Sequence, residues 1–106
     1  MSPFETKPKN YLKVTIYILT TVLDNEVVRK PFATKALAEE QYAEACANSP
    51  QANLQKLSVK GSPRGVAMAM YVLGQNKDVA KASEDVFGDY VDYVAFETVT
   101  EQVGAL

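Results

Sequence analysis

Lys60–Tyr71 reads "KGSPRGVAMAMY", and the reading of this stretch decides the fold. Ser62, Pro63 and Gly65 occupy the first, second and fourth places of a type I turn, where each residue is favoured. From Val66 to Leu73 the large residues Val66, Met68, Met70 and Val72 interleave with Ala67, Ala69, Tyr71 and Leu73. The run between Gly65 and Gly74 is short for a helix, so a hairpin and a strand are expected, although Ala and Met are helix formers. A phosphate-cradling loop would need glycines delivering backbone N–H groups to a helix N-terminus, and a P-loop additionally Lys and then Ser or Thr after its last glycine; "GSPRGVAM" is expected to offer neither.

On either side the pattern is clearer. Upstream, "LQKLSVK" from Leu54 alternates, with Leu57 and Val59 pointing one way and Lys56, Ser58 and Lys60 the other. Downstream, Asn76 is placed to cap a helix with a stripe of Val79, Ala82, Val86 and Phe87, closed by Gly88. "DYVDYVAFETVT", Asp89 to Thr100, is rich in β-branched and aromatic residues and reads as the last strand. The remaining "EQVGAL", Glu101 to Leu106, reads as a loose tail, with 102–106 beyond the domain.

Further out, "YLKVTIYILTTVL" from Tyr11 to Leu23 is a strand, with Leu12, Val14, Ile16 and Ile18 on one face and Tyr11, Lys13, Thr15 and Tyr17 on the other. Asp24 and Asn25 tolerate positive φ, so "EVVRKPF" is expected to return as a hairpin arm, restricted by Pro31 to an edge. Thr34 is placed to cap the next helix, whose stripe is Leu37, Ala38, Gln41, Tyr42, Ala45 and Cys46, ended by "NSP". Glu39, Glu40 and Glu44 fall on its solvated side. Residues 1–10, with two prolines and no apolar run, read as a flexible lead rather than a signal peptide.

Leaving the early hairpin aside, the order strand, helix, strand, strand, helix, strand is that of a ferredoxin-like split βαβ motif. The expected architecture is a single α+β domain over 11–101, a ferredoxin-like sandwich with two helices on one face of an antiparallel sheet and an extra β-hairpin arm near 22–32. The even positions of the first strand would lie beneath the helices, and the other face would be open. The pleat then displays Lys13, Thr15 and Tyr17, Lys56, Ser58 and Lys60, and Val66, Met68 and Met70 on that open face, with three lysines and no acid.

The composition narrows the chemistry. The 106 residues, 47% hydrophobic and 23% charged, suffice for one core. A net charge of −2 and a pI near 5.1 argue against nucleic-acid binding by global attraction, so only a local basic patch would serve. With no histidine the chain lacks the commonest general base and zinc ligand, and no nucleophile–base pair is evident, so no catalytic residue, metal or cofactor is assigned. Asp85, Asp89 and Asp92 match no EF-hand spacing and read as a solvated helix end. The single cysteine, Cys46, excludes an intrachain disulfide and suits a reducing, cytoplasmic setting, and no apolar run approaches a membrane span. Cys46, Tyr42, Tyr71 and Phe87 are expected in the core.

"RGVAMAMY", Arg64 to Tyr71, resembles the RNP1 pattern of the RNA recognition motif at Arg64, Gly65, Ala67 and Tyr71. Val66 and Met68 stand where that family carries stacking rings. "TIYILTT" is similar to its RNP2 strand, with Tyr17 at the outward aromatic place, and "DVAKASEDVFG" looks like its second helix. The resemblance, over roughly Leu12 to Thr100, implies a non-catalytic module that binds single-stranded RNA or DNA weakly. Tyr17 would stack on a base, Lys13, Lys56, Lys60 and Arg64 would lie near phosphates, and Thr15, Val66, Met68 and Met70 would complete the face. One ring in place of three implies affinity no tighter than roughly micromolar. The alternative is a protein partner or self-association over the apolar strip Val66, Met68 and Met70, as in a small inhibitor of a larger host or defence complex.

Overall fold

A computed structural model of the chain describes residues 12–48, 51–89 and 96–105, with side chains over 12–48, 51–86 and 97–103. In order, the elements are β1 (Leu12–Leu23), β2 (Glu26–Phe32), α1 (Lys35–Asn48), β3 (Ala52–Gly61), α2 (Pro63–Leu73), α3 (Val79–Asp89) and β4 (Phe96–Ala105). The protein is α+β, with three helices and a four-stranded antiparallel sheet of order β2-β1-β3-β4. Two compact units are present: Met1–Val14 with Ser58–Val99, and Thr15–Leu57 with Thr100–Leu106. The expected N-terminal lead, the helix stop at 49–50, the opening of the expected last strand at 90–95, and the side chains of Phe87, Asp89 and Asp92 lie outside the described residues.

The first unit contains the stretch on which the sequence reading turned, and 63–73 is a helix rather than a strand. Ser62 is its N-cap, with φ −63° and ψ 155°, and its Oγ accepts the Gly65 N–H at 3.0 Å. Pro63 follows in the first turn, where a missing N–H costs nothing. The Val66 N–H then bonds the Ser62 carbonyl at 2.9 Å. Ser-Pro-x-Gly suits a type I turn and a helix start equally, because the first turn of a helix has the same early geometry. The decision falls to burial. Gly65, Val66, Ala69, Val72 and Leu73 are buried at helical spacing, while Arg64, Ala67 and Tyr71 are exposed. Tyr71 is 64% exposed, contrary to its expected place in the core.

Helix α3 packs against α2 within the same unit. Its cap is Asp78 rather than Asn76: the Ala80 N–H donates to Asp78 Oδ1 at 2.9 Å and the Ala82 N–H to the Asp78 carbonyl at 2.8 Å. Asn76 instead takes a left-handed conformation, φ 59°, in the connection. Ala82 and Val86 are buried as the stripe predicts, and Gly88 lies within the last turn rather than beyond it.

The second unit is built on the β1–β2 hairpin. Asp24 and Asn25 have φ of 52° and 66°, the left-handed pair that a two-residue hairpin turn needs. From Leu23↔Glu26 to Tyr17↔Phe32, β2 is paired along its whole length, so it is an edge strand of the sheet rather than an added arm. Pro31 is tolerated there because an edge strand leaves alternate N–H positions without a ladder partner. Thr34 caps α1 through the Leu37 N–H at 3.3 Å, as expected.

Helix α1 rests on a cluster of Leu19, Ala38 and Leu54, with Tyr17, Phe32, Tyr42 and Ala45 packed around it. The odd residues Tyr17 and Leu19 of β1 therefore take part, not the even ones expected beneath the helix. Leu37 is 45% exposed, off the buried stripe. Successive side chains of a strand point to opposite faces, yet Ile18 and Leu19 are both buried. Leu54 and Leu57, of opposite parity in β3, are buried too. Burial thus changes face along the central strands, from the even to the odd residues in β1 and between Leu54 and Leu57 in β3, so the expected face is not open along its whole length. Glu101–Ala105, expected as tail, belong to β4.

Candidate interaction surface

The pleat groups part of the expected face correctly. Lys13 of β1 and Ser58 and Lys60 of β3 line one shallow groove of about 300 Å³ in the first unit, together with Glu97 and Val99 of β4. Glu97 adds the carboxylate that the sequence reading left out, so the groove is of mixed charge rather than purely basic. Its signal was present in "FETVTEQV", where Glu97, Val99, Glu101 and Val103 alternate with Thr98, Thr100 and Gln102.

The other expected residues are placed elsewhere. Tyr17 is half-buried and packs in the α1 cluster, so its ring is not presented as a stacking platform. Val66 is 3% exposed inside α2, Met68 and Met70 are half-buried on the same helix, and Arg64 is exposed in its first turn. None of the four is on the sheet. Thr15 and Lys56 are half-buried strand residues that do not line the groove. The RNP1-like stretch thus forms no base-stacking strand, because its backbone is helical.

The two rims of the sheet differ sharply. Strand β2, "EVVRKPF", carries Arg29, Lys30 and Pro31, the residue types that blunt an edge against further pairing. Strand β4, "FETVTEQVGA", carries no proline, lysine or arginine. Val99 and Val103 are 53% and 37% exposed, and Thr100, Glu101 and Gln102 are exposed between them. Among the described residues no strand lies beyond β4. On its inner side the Gln102 amide donates to the Leu54 carbonyl at 3.4 Å. The Oγ1 of Thr98 is buried with no hydrogen-bond partner, an arrangement that proteins seldom leave unrelieved.

In the second unit a smaller groove of about 180 Å³ runs beside α1, lined by residues that include Leu19, Leu23, Lys30, Gln41 and Glu44. Titration is perturbed at two places. Lys77 donates to Asp85, with Lys81 at 3.8 Å, and these ammonium groups hold the Asp85 carboxyl below its ordinary range. A hydrogen bond with Cys46 raises the Tyr42 hydroxyl above its usual value. Among the described residues no three acidic, cysteine or histidine side chains cluster to hold a metal, and no helix is long and apolar enough to cross a membrane.

No family model matches the chain, and neither a curated protein nor a solved structure does.

Proposed function

We propose that the protein is a non-catalytic interaction module that binds a protein partner by adding a strand to the β4 rim. The observation that carries this reading is the contrast between the rims: β2 is blunted by Arg29, Lys30 and Pro31, while β4 is longer, free of those residues and lined by exposed Val99 and Val103. A strand added to such a rim gains main-chain hydrogen bonds for affinity and alternate side-chain contacts for specificity. The single thiol, Cys46, suits work in a reducing compartment such as the cytoplasm.

A titration of isotope-labelled protein with a synthetic octapeptide of alternating valine and lysine tests this, since its lysines would meet Glu97 and Glu101. Amide shifts and slowed exchange are expected over 97–103, with 26–32 unchanged. Shifts at β2, or at neither rim, overturn the reading.

The second reading, weak binding of single-stranded RNA or DNA, draws on the groove of Lys13, Ser58 and Lys60. Phosphate contacts there would weaken steeply with salt. Glu97 in the same groove opposes an anion, and no aromatic ring lines it, so this reading is the weaker of the two.

A further inference from the structure

We propose that the occupant of the β4 rim is a second copy of this chain, its β4 laid antiparallel about a twofold axis at Thr100. This rests on the reading of β4 as a receptive edge and goes beyond it by naming the partner and the register. A twofold axis perpendicular to a continuous sheet keeps every residue on its own face, so only residues of the same parity stand opposite one another. The candidate registers are therefore few, and side-chain charge together with the length of strand paired separates them.

Centred on Val99, the pairing sets Glu97 against the partner's Glu101. Centred on Glu101, it sets that carboxylate against its own copy. Parallel in-register pairing stacks each glutamate on its equivalent. Like charges directly opposite are destabilising. Centred on Thr100, Glu97 faces the partner's Val103 and Val99 faces the partner's Glu101, so no carboxylate opposes another. All seven residues from 97 to 103 are then paired. Val99 and the partner's Val103 become diagonal neighbours, about 7–8 Å apart and within reach for apolar contact, which covers the two exposed valines of each copy, while the two copies of Glu101 stand on the same diagonal with their carboxylates free to turn to solvent. On the other face Thr100 meets the partner's Thr100, a favourable cross-strand pair. The partner's Gln102 stands opposite Thr98. Of the registers that keep carboxylates from standing directly opposite one another, the one centred on Thr100 pairs the greatest length of β4.

The test uses the full chain in a Cys46→Ser background. Opposed Cα atoms at the axis fall within disulfide range, so Thr100→Cys is expected to oxidise to a covalent dimer with an unchanged circular dichroism spectrum. Val99→Cys, whose copies lie off the axis, is expected to cross-link at least tenfold more slowly. By sedimentation the unmodified chain is expected to run as two copies at tens of micromolar, and Val99→Lys as one. Equal cross-linking rates, or an unmodified chain that remains single up to millimolar concentration, overturn the proposal. A chain that remains single while its β4 amides answer the valine–lysine peptide takes a foreign strand: the dimer is then refuted and the receptive rim stands. If neither response occurs, both fall.

Discussion

In the first unit α2 begins on a buried serine cap and buries five of its eleven residues. In the second unit α1 is longer, begins on an exposed threonine cap and buries only Ala38. Two aromatic residues of the hairpin, Tyr17 and Phe32, and Tyr42 of the helix make up the difference by packing around Leu19 and Leu54. A helix is thus secured in two ways here. Its own stripe can carry the burial, as in α2, or neighbouring rings can wrap a weakly patterned one, as around α1. Substitutions within the helix should weigh heavily in the first case and lightly in the second.

The largest effect should come from placing a charge on each helix. Ala69 of α2 is 2% exposed, and Ala69→Asp leaves an unpaired carboxylate in the interior at a loss of about 3 kcal/mol or more. Ala36→Asp sets the same group in the exposed first turn of α1, where the helix dipole favours it, and should change stability by less than about 0.5 kcal/mol. Urea unfolding midpoints compare the two, and equal losses would break the contrast between the helices.

The caps sharpen it on a smaller scale. Ser62→Ala removes a buried acceptor from the Gly65 N–H and is expected to cost about 1.5 kcal/mol, whereas Thr34→Ala, at an exposed site, should cost about 0.5 kcal/mol. A reversed order in thermal melts would mean that α2 does not depend on its cap.

The smallest effect concerns the ion pairs of α3. Lys77 holds the Asp85 carboxyl below its unfolded value of about 3.9, so the pair contributes stability above that pH. The contribution disappears as pH falls through the lowered folded value. Asp85→Asn should therefore lower the melting temperature slightly at pH 7 and leave it nearly unchanged at pH 2. A gap that widened on acidification would contradict this assignment.

Much of the fold was legible because period and caps agreed. The alternation in 12–18, the left-handed pair Asp24–Asn25, the Thr34 cap and the Ala82–Val86 stripe each pointed to one structure. At 62–73 the signals served two structures at once. Ser-Pro-x-Gly opens a turn or a helix, and Val66 and Val72 fit both an alternating strand and a helical stripe. Only the partners packed against Ala69 and Leu73 separate the two. The site was partly legible for a related reason. A period of two shows that Lys13 and Tyr17 share a face, but not that α1 lies over Tyr17 and leaves Lys13 open. The β4 rim was missed because strand order, which decides which strand is at an edge, is a long-range property.

The two-residue turn at Asp24–Asn25 also has a consequence in time. Tyr17 and Phe32 are joined by a short span of chain, so their pairing needs little loop-closure entropy, and hairpins of this kind form within about 1–10 μs. Strand β4 meets β3 only after α2 and α3 have been traversed, which places it late in folding. Pulse-labelled refolding should protect the amides of β1 and β2 before those of β4. The rim proposed to take a partner strand is then the last part of the sheet to exist, and association by that route would have to wait until the rest of the chain has folded.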